Sequence, residues 1–482
     1  MVLSSREEDF KLKVTVTYKE RTIGDILCEV YLPERLTDPV EVILRPTKEQ
    51  SNQLGYPFKF SVYGEIRGSA NERRGIIKAD RVYYKQDSTR YWQQELSETV
   101  LIGEPVDLRI VEFIKEDANN YKEQSPMRGT FWLTPSIMLK PVKAFSRSYT
   151  GKVTVEEILN YEFTLCSGLS LRFDDHYRYI DRENGDNISF SELVAEFELS
   201  PSNTHVDISF EPVDDFLMLT SFAARQRCIC LGWELYNSSA ITRFFRRDIA
   251  IPPEKKDHSF NDTLVDIQDL QDFMNVAYHS FIQAEPKESI RQAIYRTLGQ
   301  EDRSVESNYL TLFSALETLV LFYQQNSGTE FILASDEWNS FKKDLKNFIK
   351  NHPQFSQYRE SRKLLYEKLS ELKRISFATA FERFCSHYDI DLHDLWPVRD
   401  HKDGVSLSNI RHRLIHGDPL IPSQLGALIR ANWHLKWTVE RSILSVLGWS
   451  VLQSKVSRDF LSKNMAPYRN WQEDRMVLTQ YN

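Results

Sequence analysis

Arg411 and His416 stand five residues apart in the run Arg411-His412-Arg413-Leu414-Ile415-His416-Gly417. A neutral imidazole can take or return a proton near pH 7. A guanidinium presents a planar fork of donors that matches phosphoryl oxygens, which the point charge of a lysine does not. The pair therefore suits phosphoryl chemistry without a metal, with His416 as base or acid and Arg411 stabilising the charge that builds on the phosphoryl oxygens. The spacing alone says little, because a chain of this composition, with 11 histidines, holds about one such pair by chance. The surroundings say more. His412 is a polar residue directly after the arginine, Leu414-Ile415 is an aliphatic pair before the histidine, and Gly417 is placed to stop a helix.

Helix geometry constrains this chemistry. Five residues at about 100° each put Arg411 and His416 about 140° apart on an ideal helix, so they share no face. His412 and His416, at i and i+4, do share one, with Asn409 and Arg413 nearby. Two arrangements overcome the divergence: the helix ends at His416, where Gly417 and Pro419 forbid continuation, or a second protomer supplies the same motif. Glu317 is a further candidate. It lies in Leu310-Thr-Leu-Phe-Ser-Ala-Leu-Glu-Thr-Leu-Val-Leu-Phe322, a helix apolar on nearly every side, where a carboxylate needs a partner.

The elements that must position these groups follow from periodicity. From residue 11 to about 250 the apolar period is two: Leu12, Val14, Val16, Tyr18; Phe58, Phe60, Val62; Leu108, Ile110; Leu193, Ala195, Phe197, Leu199; Val206, Ile208, Phe210. Such alternation predicts half-buried strands, and Asn184-Gly185 predicts a tight hairpin turn. One helix is expected at 213–225, before a strand from Cys228 to Leu235. The run Ile251-Pro252-Pro253-Glu254-Lys255-Lys256-Asp257-His258 is the expected boundary. Beyond it the spacing turns to three and four, and helices are expected at 266–284, 287–299, 304–325, 335–351, 361–388, 406–416 and 423–450. The fold class is α+β: an antiparallel β-rich domain over 1–255, an all-α bundle over 262–465, and a loosely docked tail over 466–482.

Composition narrows the function. The net charge is -8, and residues 262–482 carry 27 Lys+Arg against 28 Asp+Glu, so the acidity sits mostly in the first half. A protein that coats nucleic acid electrostatically carries a basic excess instead; a nuclease with a small local site is allowed. The 5 cysteines are scattered, as in reduced intracellular chains. No apolar run is long enough to span a bilayer, and the start lacks an apolar leader segment, so the expected setting is cytoplasmic.

Together, the Arg411–Gly417 run and its helical host, over residues 262–460, resemble the HEPN superfamily of ribonucleases. Within it the chain looks most like the ApeA-like group, bacterial anti-phage proteins with a β-rich N-terminal domain. The resemblance implies a metal-independent endoribonuclease with no cofactor. In it the imidazole takes the proton of an RNA 2′-OH, which attacks the neighbouring phosphate and leaves a 2′,3′-cyclic phosphate. It also implies a composite site across a homodimer, and an N-terminal domain that senses a trigger, phage-derived, or restrains the nuclease. The resemblance further implies that the RNA cut belongs to the host, tRNA being one candidate, in an abortive response to infection. Ala315-Leu316-Glu317 is similar to the group's first core helix, where the acid faces the motif, so Glu317 is expected to orient Arg411 or His412. Arg411, His416, His412 and Glu317 are thus the expected catalytic set, with Arg413 and Asn409 beside them as substrate contacts.

Plainer readings stand beside each of these. His416 fits a helix-terminal histidine favoured by the helix dipole, and Arg411 an ion-paired surface group. Glu317 fits a structural ion pair equally well, and His412 a packing role. A rival from another class is a non-catalytic protein whose bundle only dimerises or binds nucleotide. Cys228-x-Cys230 reads as core. Arg225, Arg227, Arg243, Arg246 and Arg247, interleaved with Phe244 and Phe245, read as a solvated strand face ahead of a phosphate-binding one. Asp174, Asp175 and His176 read as loop ahead of a metal site.

Overall fold

The structure is a computed structural model and describes residues 9–33, 35–54, 59–67, 74–87, 100–113, 127–147, 153–165, 168–180, 188–199, 210–237, 240–247, 262–299, 303–356, 359–399, 404–417 and 421–479. The chain is mixed α+β and packs as two compact units: Met1–Ser221 with Arg227–Ser259, and Phe222–Gln226 with Phe260–Asn482. The expected boundary run 251–258, the strand expected at 206–210 except Phe210 itself, and Asn184-Gly185 lie outside the described residues.

The first unit is built on antiparallel strands. β1 (Phe10–Tyr18), β2 (Arg21–Tyr31), β3 (Glu41–Arg45), β4 (Lys59–Arg67), β5 (Arg74–Asp87) and β6 (Leu101–Pro105) close into a barrel, because β6 pairs with both β3 and β5. Alternation drives this. In β1 the side chains of Leu12, Val14 and Val16 are buried while Lys11 and Lys13 are exposed, as period two dictates. Val14, Val16, Ile26, Val42, Leu44, Phe60, Val62 and Val82 belong to one buried cluster, so the barrel holds a packed core. Register shifts between Val14 and Val16 and between Phe60 and Val62 mark irregularities of the kind that bend strands into closure.

From β5 the sheet continues outward through β7 (Asp107–Phe113), β15 (Ala240–Arg246), β14 (Cys230–Tyr236), β8 (Met127–Leu133), β13 (Ile188–Leu199), β12 (Ser170–Ile180) and β11 (Glu162–Thr164). β9 (Val142–Arg147) and β10 (Val153–Leu159) form a separate ribbon. Two short expectations are corrected here. The strand expected to start at Cys228 starts at Cys230. Asp174, Asp175 and His176 are strand residues of β12, paired with Val194, Leu193 and Glu192 of β13. α1 (Lys48–Leu54) is a short connection, and α2 (Glu211–Ala224) lays Phe216 against Phe163 and Phe173, with ring centroids 4.9 and 5.8 Å away.

The second unit is helical: α3 (Leu270–Gln283), α4 (Lys287–Leu298), α5 (Val305–Ser327), α6 (Ser335–Asn351), α7 (Pro353–Ser356), α8 (Arg359–Lys368), α9 (Phe377–His387), α10 (Leu407–His416), α11 (Leu425–Val446), α12 (Arg458–Asn464) and α13 (Trp471–Thr479). The single helix expected over 361–388 is two, α8 and α9. Between them Arg374 forms a bridge with Phe331, Ile375 N–H donates to Glu330 O at 3.1 Å, and Ser376 caps α9 by accepting from Thr379 N–H. The expected tail contains α13, whose Trp471, Arg475 and Leu478 are buried. Its amphipathic run is only nine residues long, too short to register as a helix by periodicity.

The centre of this unit is α11. It buries Leu428, Ala431, Leu435, Val439 and Ile443 as one stripe, and also His434, Glu440 and Arg441. These three polar side chains are satisfied. Arg441 holds Asp394 through two bonds of 2.6 and 2.8 Å, and donates to Val456 O and Asp391 O; Tyr468 O–H donates to Asp394 at 2.9 Å. Burial pushes the Asp394 carboxyl up, but the bonds and charge of Arg441 outweigh it and hold the group below the usual carboxylate range. His434 Nδ1 accepts from Trp396 N–H at 3.1 Å, which leaves Nε2 as the donor to Pro467 O at 3.2 Å. Burial drives the His434 pKa down to about 3, so this ring is neutral.

Candidate functional site

Helix α10 begins as a clamped structure. Ser406 caps it, accepting from Asn409 N–H at 3.2 Å, while the Asn409 side-chain oxygen accepts from Ser406 N–H at 3.2 Å and from the Ser406 hydroxyl. This reciprocal pair satisfies first-turn donors that a helix otherwise leaves open. Leu407 and Ile410 are buried, and Tyr309 O–H donates to Leu407 O at 2.8 Å. The segment just before the cap is gripped as well: Val405 O accepts from Trp396 Nε1 at 2.8 Å and from Arg475 Nε at 3.2 Å. Asn409, expected to touch substrate, is therefore engaged in holding the helix start.

The other end is open. His416 is the last helical residue, and Gly417 follows at φ +75°, a left-handed conformation that glycine adopts without a Cβ penalty and that closes the last turn onto Arg413 O and Leu414 O. The regular phase thus holds through His416, and Arg411 and His416 diverge by about 140° within one chain. Arg411 turns to α5: its Nη2 lies 3.0 Å from Glu317 Oε1, and its guanidinium lies over the Phe313 ring, 5.7 Å from the centroid. This pair is about one-third exposed on both sides, at 35% and 37%. His412 and His416 form the second pair, their ring centroids 4.2 Å apart and both side chains exposed. Arg413 donates from Nη1 to Leu478 O at 2.9 Å, which ties α10 to α13.

So the six residues singled out from sequence fall into three groups. Arg411 meets Glu317, His412 meets His416, and Asn409 and Arg413 hold α10 in place. Two neighbours were not singled out. Phe313 sits one turn before Glu317 on α5 and floors the guanidinium; its spacing of four from Glu317 was the available signal. Arg296 of α4 donates to Ser314 O and to the Thr318 hydroxyl, on the same stretch of α5. Ile415 is 51% exposed beside His416, so the aliphatic pair of the motif is not wholly core.

The remaining candidates resolve locally. Cys228 and Cys230 are buried, and burial raises both thiols, that of Cys228 to about 12. Of the interleaved arginines, Arg225 pairs with Glu440, Arg243 with Glu112 and Glu234, and Arg246 with Asp214, while Arg247 donates to Leu36 O at 2.7 Å. Asp174 and Asp175 meet Lys143 and Lys140 at 2.7 and 3.1 Å. Among the described residues no group of three or more His, Cys, Asp or Glu side chains is placed to hold a metal ion, and no helix is long and apolar enough to cross a membrane. Comparison with family models, with curated proteins and with solved structures finds no match for this chain.

Proposed function

We propose that the chain is a metal-independent endoribonuclease of HEPN type, acting in bacterial anti-phage defence by cutting host RNA, with tRNA a candidate substrate. The observation that carries this reading is the exposed end of α10, where two imidazoles stand 4.2 Å apart while Arg411 is steadied by Glu317 and Phe313. These groups sit on a helix whose first turn is fixed by a cap and by buried contacts, which is how a site keeps its geometry. The divergence of Arg411 from His416 supports a composite site, in which a second copy of the chain brings its own motif up to the first.

In this reading the neutral imidazole of His416 takes the proton from a ribose 2′-OH. The freed 2′-oxygen attacks the adjacent phosphorus, the bond to the 5′-oxygen breaks, and that oxygen takes a proton from an imidazolium of the second motif. Arg411 stabilises the charge on the phosphoryl oxygens, and Glu317 keeps its fork oriented. His412 contacts substrate or shares the proton transfer. The N-terminal β unit senses a phage-derived trigger or restrains cleavage, in the cytoplasm. His416→Ala and Arg411→Ala should each lower RNA cleavage by a factor of about 100 or more. Folding by circular dichroism and dimer formation by light scattering should be retained. Unchanged cleavage by His416→Ala sinks the assignment.

A further inference from the structure

Between α5 and α9 the chain makes an excursion. It leaves at Phe331 and returns at Arg374, where the two residues form an antiparallel bridge and Ile332 N–H donates to Lys373 O at 2.9 Å. α6, α7 and α8 fill this arm. Residues 335–374 carry ten Lys+Arg against six Asp+Glu, a net positive segment in a chain of net charge -8.

The lysines gather on one flank of α6, where Asp336 is the one acid of that helix beside them, Glu337 and Asp344 lying on the other. On α6, Trp338 and Ile349 are buried and define the inward direction. With about 100° per residue, Lys346, Lys350 and Lys343 lie about 80°, 120° and 140° to one side of Trp338, and Phe341 and Phe348 lie about 60° and 80° to the other. All five are exposed, the two phenylalanines at 47% and 62%. α8 lies on the lysine flank, since Tyr366 O–H donates to Lys346 O at 3.3 Å and the Lys346 ammonium sits 5.6 Å from the Tyr366 ring. α8 adds Arg362 and the exposed Lys363. Among the described residues no carboxylate pairs with Lys343, Lys346, Lys350 or Lys363. Elsewhere in the arm Lys368 pairs with Glu371 and Arg374 with Glu330, so the uncompensated charge gathers on the α6 and α8 lysines.

We propose that this arm docks single-stranded RNA, its lysines on the phosphates and Phe341 and Phe348 on unpaired bases. The choice of RNA as occupant rests on the nuclease reading above. Uncompensated ammonium groups on one flank of α6 call for a polyanion, and exposed rings on the other flank, about 140° or more around the axis, call for planar faces, so a strand lying across the outward face meets both features by which single strands are held without sequence preference. Phe341 and Phe348 are two turns apart, about 10 Å along the axis, room for separate bases splayed out of a stack. An anionic lipid surface fits less well. The apolar inward face is already buried by protein, and Glu337 and Asp344 lie on the same flank as the two phenylalanines, where a bilayer would have to take them up.

The test uses the full chain carrying His416→Ala, so that binding is read without cleavage. Anisotropy of a labelled 20-nucleotide single strand, against a duplex of equal length, is followed from 50 to 300 mM salt. The single strand should bind more tightly. Lys343→Glu with Lys346→Glu and Lys350→Glu should weaken it at least tenfold and flatten the slope of log K against log salt by about 2, from three phosphate contacts at about 0.7 each. The triple Lys→Arg variant should keep both affinity and slope. Phe341→Ala with Phe348→Ala should weaken the single strand about tenfold or more and leave the slope alone.

Equal affinity and slope after charge reversal, or no RNA binding at all, overturns the proposal. So does co-sedimentation with vesicles containing phosphatidylserine that charge reversal abolishes while RNA binding stays. The two readings fail separately: arm-dependent binding with no cleavage by the wild type removes the nuclease, and cleavage with arm-independent binding removes the arm.

Discussion

The helical unit holds the same chemistry twice, in opposite settings. Arg441 and Asp394 are 3% and 7% exposed, joined by two hydrogen bonds and surrounded by further donors and acceptors; Arg411 and Glu317 are 35% and 37% exposed and meet as an ion pair at 3.0 Å. Likewise His434 is sealed in with a partner on each ring nitrogen, whereas His412 and His416 face outward and toward each other. A saturated, buried group has no capacity left for a substrate and serves the fold. An exposed group on a rigid element retains that capacity, at the cost of contributing little to stability.

The comparison predicts opposite responses to mutation. The largest stability effect belongs to the buried pair: Arg441→Ala leaves Asp394 charged and unpaired in the interior, which costs about 3–5 kcal/mol. Urea denaturation should show a midpoint well below that of the wild type, and a midpoint within error of it would dismiss the network as a structural anchor.

Next comes pH. His434 titrates at about 3 in the folded chain and near 6.5 when unfolded, so between these values the unfolded state binds the extra proton. Stability therefore rises with pH through this window and is lost as pH falls, by up to about 1.4 kcal/mol per unit. Asp394 and Glu29, each held low by an arginine against its burial, act in the same direction as pH falls into the ordinary carboxylate range, so the slope between about pH 5.5 and 6.5 reads the histidine most directly. His434→Gln should flatten that slope. The smallest effect belongs to the exposed pair, since Arg411→Ala should cost under about 1 kcal/mol because solvent screens the bond it removes. A loss as large as that of Arg441→Ala would make Arg411 a structural residue too.

Much of this was legible in the sequence. Period two gave the faces of β1, β4, β7 and β13, and Gly417 after an apolar-patterned run marked the end of α10. What stayed hidden depends on partners distant in the chain. Nothing in Leu101–Pro105 announces that β6 will pair with both β3 and β5 and so close the barrel. Asp174-Asp175-His176 lacks alternation, yet it forms strand because β13, Lys140 and Lys143 satisfy it from elsewhere. Helical spacing places Asn409 beside the motif as an expected substrate contact; the bond its side chain makes to Ser406 is local and readable from the three-residue spacing of a capping box. The divergence of Arg411 and His416 was readable from spacing alone, and helix α10 retains it.

The most direct measurement of the central claim is the chemistry of the product ends. Purified wild type is incubated with total RNA and with tRNA in excess EDTA, and the new 3′ ends are mapped with and without enzymatic opening of cyclic phosphates. The account predicts cleavage that EDTA leaves intact, 2′,3′-cyclic phosphate at the cut sites, and the loss of both in His416→Ala. Cleavage that EDTA abolishes, ends bearing a 3′-hydroxyl, or RNA left whole by the wild type would contradict it.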